Sequence, residues 1–91
     1  MLNNNQLINA SDEYCFWTND NRVLRNLEDL VQALKEMSDD VFCHHVNKEK
    51  NDFANWIKDV LKDIELARAV KRLKTRQTMI KKIENRLKEA K

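Results

Sequence analysis

Cys43, His44 and His45 are consecutive, and Cys15 lies upstream in an aromatic run. Thiolates and imidazoles are zinc ligands, and four of them can close a tetrahedral site. Spacing argues against that chemistry here. Adjacent residues on a helix point about 100° apart, so these three side chains cannot converge on one ion. A Cys–His pair for nucleophilic catalysis needs a base in contact with the thiol and a cleft for substrate. A chain of 91 residues whose few apolar side chains are committed to a core leaves little room for a cleft. The expectation is therefore structural. His45 packs in the core with a hydrogen-bonded ring, Cys43 is a small buried side chain, and His44 faces solvent. Asn51 or Asp52 caps the helix that starts at Phe53 and also orients His45, with a recognition site at this connector as the alternative. No catalytic, metal or cofactor-binding residue is assigned, and no small-molecule substrate is expected.

Two further sets could bind rather than react. Phe16, Trp17 and Trp56 could stack on bases or grip a peptide, but large aromatics are also the most compact way to fill a thin core. They are expected between a hairpin and the third helix. Charge is distributed unevenly. Residues 64–91 hold ten basic and three acidic residues, a net of +7, and residues 1–63 hold seven and twelve, a net of −5. The overall +2 thus conceals a dipolar chain, which is a hint of nucleic-acid or acidic-surface binding. Lys71, Arg72, Lys74, Arg76, Lys81 and Lys82 are the candidate phosphate contacts. A weaker cause is that basic residues near a helix C-terminus suit the macrodipole, and they could also pair with the acidic body of the same or a neighbouring molecule.

The elements that position these residues must form without glycine or proline, both absent. That excludes a Gly-rich phosphate loop and a G-x-S-x-G nucleophile turn, and it leaves tight turns to Asn and Asp. Tyr14–Thr18 and Arg22–Arg25 flank Asn19-Asp20-Asn21 and predict a β-hairpin. Asn26 then caps a helix with Leu27, Leu30, Val31, Leu34 and Met37 on one face. Ser38 caps a short second helix with Val41, Phe42, His45 and Val46 inward. The third carries Phe53, Trp56, Ile57, Val60, Leu61 and Ile64, the strongest periodic signal in the chain. Asp63 can mark a bend before a last helix from about Ile64 to Lys91.

That last helix would span about 42 Å at roughly 1.5 Å per residue, well beyond a body whose radius of gyration is about 12 Å. Its end is expected to project, leaving Met79, Ile80, Ile83 and Leu87 exposed for a partner. Leu66, Val70, Leu73 and Ile80 fit heptads, but the register puts Gln77 and Glu84 on the seam. A short antiparallel pairing or a helix in a partner's groove is expected instead of a long coiled coil.

From Tyr14 to about Ala69 the chain resembles a small family of uncharacterised domains of archaeal and related microbial genomes. The resemblance rests on Phe16-Trp17, the Leu27/Leu30/Leu34 helix, Val41-Phe42 with His45-Val46, and above all Asn51-Asp52-Phe53-Ala54-Asn55-Trp56-Ile57 leading to Asp59-Val60 and Leu66-Ala67. It implies a compact recurring domain and brings no activity, ligand or catalytic residue. Where family turns often hold glycine, this chain has Asn or Lys.

The fold expected is α-rich α+β: a short N-terminal hairpin packed on three helices, followed by or continuous with a long C-terminal helix. Residues 1–12 are expected to be a mobile segment, 13–75 the compact domain, and 76–91 a basic amphipathic extension. With no apolar run long enough to span a membrane and no secretory signal at the N-terminus, a cytoplasmic protein with reduced thiols is expected, a Cys15–Cys43 bridge being the alternative. The function expected is a non-catalytic interaction module that self-associates or docks on a protein through its C-terminal helix. The alternative is a nucleic-acid-associated protein that uses the basic face of that helix.

Overall fold

The computed structural model describes residues 9–89. Strands β1 (Phe16–Trp17) and β2 (Val23–Leu24) form an antiparallel hairpin, and five helices follow: α1 (Leu27–Glu36), α2 (Asp39–His45), α3 (Asp52–Asp59), α4 (Ile64–Lys71) and α5 (Arg76–Glu89). The α-rich α+β class is as the sequence predicts. In the hairpin Phe16 pairs with Leu24 and Trp17 with Val23.

Side chains start the helices. Asn26, Ser38, Asn51 and Asp63 each accept from the backbone N–H three residues on, at 2.8, 3.2, 3.0 and 3.2 Å, and Thr75 Oγ1 does the same for Thr78 at 3.2 Å. Each satisfies a donor that the first helical turn leaves unpaired. Helix ends use an extended residue at Met37 and Val46 and a right-handed helical one at Val60 and Arg72. Asn21 in the hairpin turn has φ 69°, a conformation Asn tolerates. Lys62 adopts φ 63° between α3 and α4, where a residue with a Cβ is disfavoured and the turn expectation of Asn or Asp does not hold.

The core is built around α1. Leu27, Leu30 and Leu34 are buried, with Phe53 and Ile57 of α3, Val70 of α4, and Met79 and Ile83 of α5. α3 packs on α4 and α1 on α5. Phe16 meets Phe53 and Trp56 at ring-centroid distances of 5.1 and 5.8 Å.

Several expectations fail for identifiable reasons. The helix expected from Ile64 to Lys91 is two helices. Arg72 and Leu73 donate to Ala69 and Val70 instead of to carbonyls four residues back, which tightens and ends α4. The apolar pattern explains the break. In a continuous helix, Met79 and Ile83 would point well away from the face of Leu66, Val70 and Leu73. Folding back at 72–75 turns them onto α1. Both are fully buried, so neither is free to dock a partner, and Ile80 and Leu87 are half-buried against the same core. Residues 76–89 therefore belong to the compact domain and are not an extension from it.

Trp17 is 61% exposed although Phe16 and Trp56 are in the core as expected. Successive strand residues face opposite ways, and Phe16 takes the inward position. Ile64 is likewise 49% exposed because α3 ends before it. Of the N-terminal segment, residues 1–8 lie outside the described residues. At its end Ala10 is buried and its N–H donates to Arg25 O at 2.7 Å, while Asp12 pairs with Arg25 at 2.6 Å, so 9–12 lies against the hairpin's second strand.

Met79→Ala tests the fold-back. It should lower unfolding free energy by about 2–5 kcal/mol in urea melts through the cavity it leaves, whereas a free C-terminal extension would leave the midpoint unchanged.

Candidate functional site

His45 sits near the end of α2, one residue before the turn that leads to α3. Its Nε2 accepts from the Asn19 N–H at 2.9 Å, and its Nδ1 is 2.9 Å from Asp52 Oδ2. An accepting Nε2 places the proton of the neutral ring on Nδ1, where it is donated to the carboxylate. Phe16 meets the ring edge-on at 5.2 Å, and Phe53 is tilted against it at 5.3 Å. Both nitrogens are thus engaged, and the ring ties the hairpin turn to α2 and α3. Burial works against ionisation of Asp52, but hydrogen bonds from His45 and Lys50 outweigh it and hold the carboxyl below its ordinary range.

The cysteines take no part in this cluster. Cys43 is exposed rather than buried, on a side of α2 away from the core, and Cys15 is half-buried with its thiol donating to Asp12 O at 3.2 Å. Both are free thiols. Among the described residues no three or more His, Cys, Asp or Glu side chains gather to hold a metal ion.

Asn51 has two jobs. Its Oδ1 caps α3, and its Nδ2–H donates to Val70 O at 3.1 Å, joining the start of α3 to the end of α4. The capping role was legible from the residue type and the apolar run behind it. The link to Val70 was not, since it joins positions 19 apart.

The candidate phosphate contacts divide into two groups. Arg76 is half-buried, donates to Met37 O, and pairs with Asp39 at 2.6 Å, so it fastens the start of α5 to the α1–α2 junction and leaves the candidate set. Arg86 plays the matching part at the other end. Its Nε and Nη2 grip both oxygens of Asp63 at 2.9 and 3.1 Å. This two-point hydrogen bonding keeps its guanidinium protonated above the usual range, and Glu89 adds to it. Lys71, Arg72, Lys74, Lys81 and Lys82 are all exposed, and none makes an ion pair among the described residues.

The acids of this region are otherwise engaged. Glu84 pairs with Lys35 of α1 at 3.0 Å and Glu89 approaches Arg86 at 3.5 Å, leaving Glu65 as the carboxylate of 64–89 outside any ion pair among the described residues. Two shallow grooves indent this side of the molecule. The one between α4 and α5, about 210 Å³, carries mixed charge from Glu65, Glu89, Lys82 and Arg86. The one between α3 and α4, about 250 Å³, is lined by Lys58, Arg68 and Lys71 with no acid.

The His45–Asp52 pair sets an acid limit to stability. A carboxyl depressed by folding contributes stability that is present above its unfolded value, near 3.8, and is lost as pH falls through the folded value. Denaturant melts should show Asp52→Asn less stable than wild type at about pH 7 and losing less than wild type on acidification below about pH 4. Parallel acid limbs for the two proteins would show that the pair is energetically idle.

The chain matches no family model, no curated protein and no solved structure.

Proposed function

We propose that the chain is a non-catalytic binding module for polyanions, associating with nucleic-acid phosphates through the exposed cations of the α4–α5 side. The observation that carries this reading is the division of charge just described. Arg76 and Arg86 hold the fold, Glu84 and Glu89 are paired, and Lys71, Arg72, Lys74, Lys81 and Lys82 remain exposed and outside any ion pair among the described residues, Lys82 alone sharing a groove with Glu65 and Glu89. Lysines of this kind make sequence-independent phosphate contacts, each releasing a counterion.

Met79 and Ile83 are fully buried and Ile80 and Leu87 half-buried, so that stripe presents no continuous apolar surface for self-association or docking. His45, with both nitrogens engaged and no thiol in contact, supplies no base for a reaction, which supports a binding role over an enzymatic one. No helix among the described residues is long and apolar enough to cross a membrane. Unbridged thiols fit a cytoplasmic setting.

Fluorescence anisotropy with labelled single- and double-stranded DNA and RNA across a salt series tests the reading. Micromolar or tighter binding that weakens steeply with salt is expected. Lys81→Glu with Lys82→Glu should weaken duplex binding more than about tenfold and flatten the log–log salt slope by about 2. Absence of binding at low salt, or a slope unchanged in the double variant, overturns it.

A further inference from the structure

The groove between α3 and α4 has a composition that phosphate binding does not require. Its floor is apolar: Ala54 of α3, with Ile64 and Ala67 of α4. Ile64 is 49% exposed, the most exposed aliphatic side chain among the described residues. Around that floor stand Lys58, Arg68 and Lys71, with Asn55 beside them and no carboxylate in the lining. None of the three cations makes an ion pair among the described residues.

The arrangement on α4 is a consequence of helical spacing. Ile64, Arg68 and Lys71 stand at i, i+4 and i+7 and therefore share one stripe facing α3. The small side chains of Ala54 and Ala67 keep the channel between the helices open. Its volume, about 250 Å³, lies below the roughly 300–1,000 Å³ of ordinary small-ligand pockets. It suits one or two bulky apolar side chains delivered by a larger molecule.

We propose that this groove binds an acidic amphipathic segment of a protein partner. Leu, Met or Phe side chains of that segment seat on Ile64, Ala54 and Ala67, and flanking carboxylates meet Lys58, Arg68 and Lys71. Charge complementarity selects an acidic over a basic segment. The apolar floor selects a peptide over a bare phosphate backbone, which would gain nothing from Ile64. This surface is distinct from the α4–α5 polyanion surface and shares only Lys71 with it, so either can fail alone.

The test is a backbone-amide NMR titration of the full chain with a synthetic helix of about 16 residues bearing Leu at i, i+4 and i+7 and Glu at the flanking positions. The same peptide with Lys in place of Glu and a single-stranded oligonucleotide serve as comparisons. Shifts confined to the amides of Ala54, Asn55, Ile64, Ala67 and Arg68 are expected with the Glu peptide. Ile64→Ser, at an exposed position that does not endanger folding, should weaken binding about tenfold. Lys58→Glu with Arg68→Glu should abolish it, whereas Lys81→Glu with Lys82→Glu should leave it within about twofold. Three outcomes overturn the proposal: no shifts at millimolar Glu peptide, equal shifts with the Lys peptide, or Ile64→Ser binding like wild type. Stronger perturbation of the same amides by the oligonucleotide also overturns it, and assigns the groove to the polyanion surface.

Discussion

A chain without glycine or proline can stop and restart a helix only through side-chain hydrogen bonds and changes of backbone direction at ordinary residues. Here Asn26, Ser38, Asn51, Asp63 and Thr75 do the restarting. The rest of the architecture depends on those five positions, because short helices must turn repeatedly to surround a thin core. A continuous C-terminal rod would leave Leu30 and Leu34 of α1 open to water. The reversal at 72–75 packs α5 on α1, with Met79 and Ile83 in the same core, and the resulting body has a radius of gyration of 12.2 Å. Capping residues also act as tertiary anchors. Asn51 reaches Val70 O, and Asp63 receives both ends of the Arg86 fork. Local helix initiation and global packing therefore use the same side chains, which makes the folded arrangement self-consistent across levels.

The same economy of polar groups separates the cations by type. Arg76 and Arg86 work inside the fold, where a planar guanidinium can donate in two directions to a carbonyl and a carboxylate or to both oxygens of one carboxylate. The lysines of α5 stay outside. An ammonium on a flexible stem is strongly hydrated and loses more by partial burial, so it remains available to a mobile or repetitive anion. Lys35 and Lys50 are exceptions, each drawn to a carboxylate within 3.0 Å near the surface.

Much of this organisation was legible from the sequence. The caps at Asn26, Ser38 and Asn51, the Leu27/Leu30/Leu34 face, and the buried, hydrogen-bonded His45 follow from residue type and helical spacing, whereas the caps at Asp63 and Thr75 emerge only with the breaks before α4 and α5. What was hidden involves choices that periodicity alone does not resolve. Phe16 and Trp17 are equally good core candidates, and only the packing of α3 against one face of the ribbon decides between them. Periodicity does not reveal the fold-back of α5, because Leu66, Val70, Leu73 and Ile80 sit near one heptad stripe and mask the phase jump to Met79 and Ile83. Gln77 and Glu84 on that seam were the available signal, since a polar seam argues for a break as readily as for a weak coiled coil. The basic face was visible as a count. Which cations are free was not, because that depends on Asp39 and Asp63, which lie far from Arg76 and Arg86 in sequence.

Helix-end electrostatics account for only some of the free cations. A helix dipole favours positive charge in the last turn and negative charge in the first, within about one turn of each end. Arg68 and Lys71 at the end of α4, and Lys88 near the end of α5, satisfy that rule. Lys74 lies just before α5, at its positive end, and no acid occupies that helix's first turn. Lys81 and Lys82 are in the middle of α5, where the dipole offers nothing. At physiological ionic strength the screening length is about 8 Å, so neighbouring cations such as Lys71, Arg72 and Lys74 still repel one another weakly. For Lys74, Lys81 and Lys82 the local gain is absent and the mutual repulsion is unfavourable, so these three do not serve the stability of the chain. Their placement makes physical sense when an external anion neutralises them.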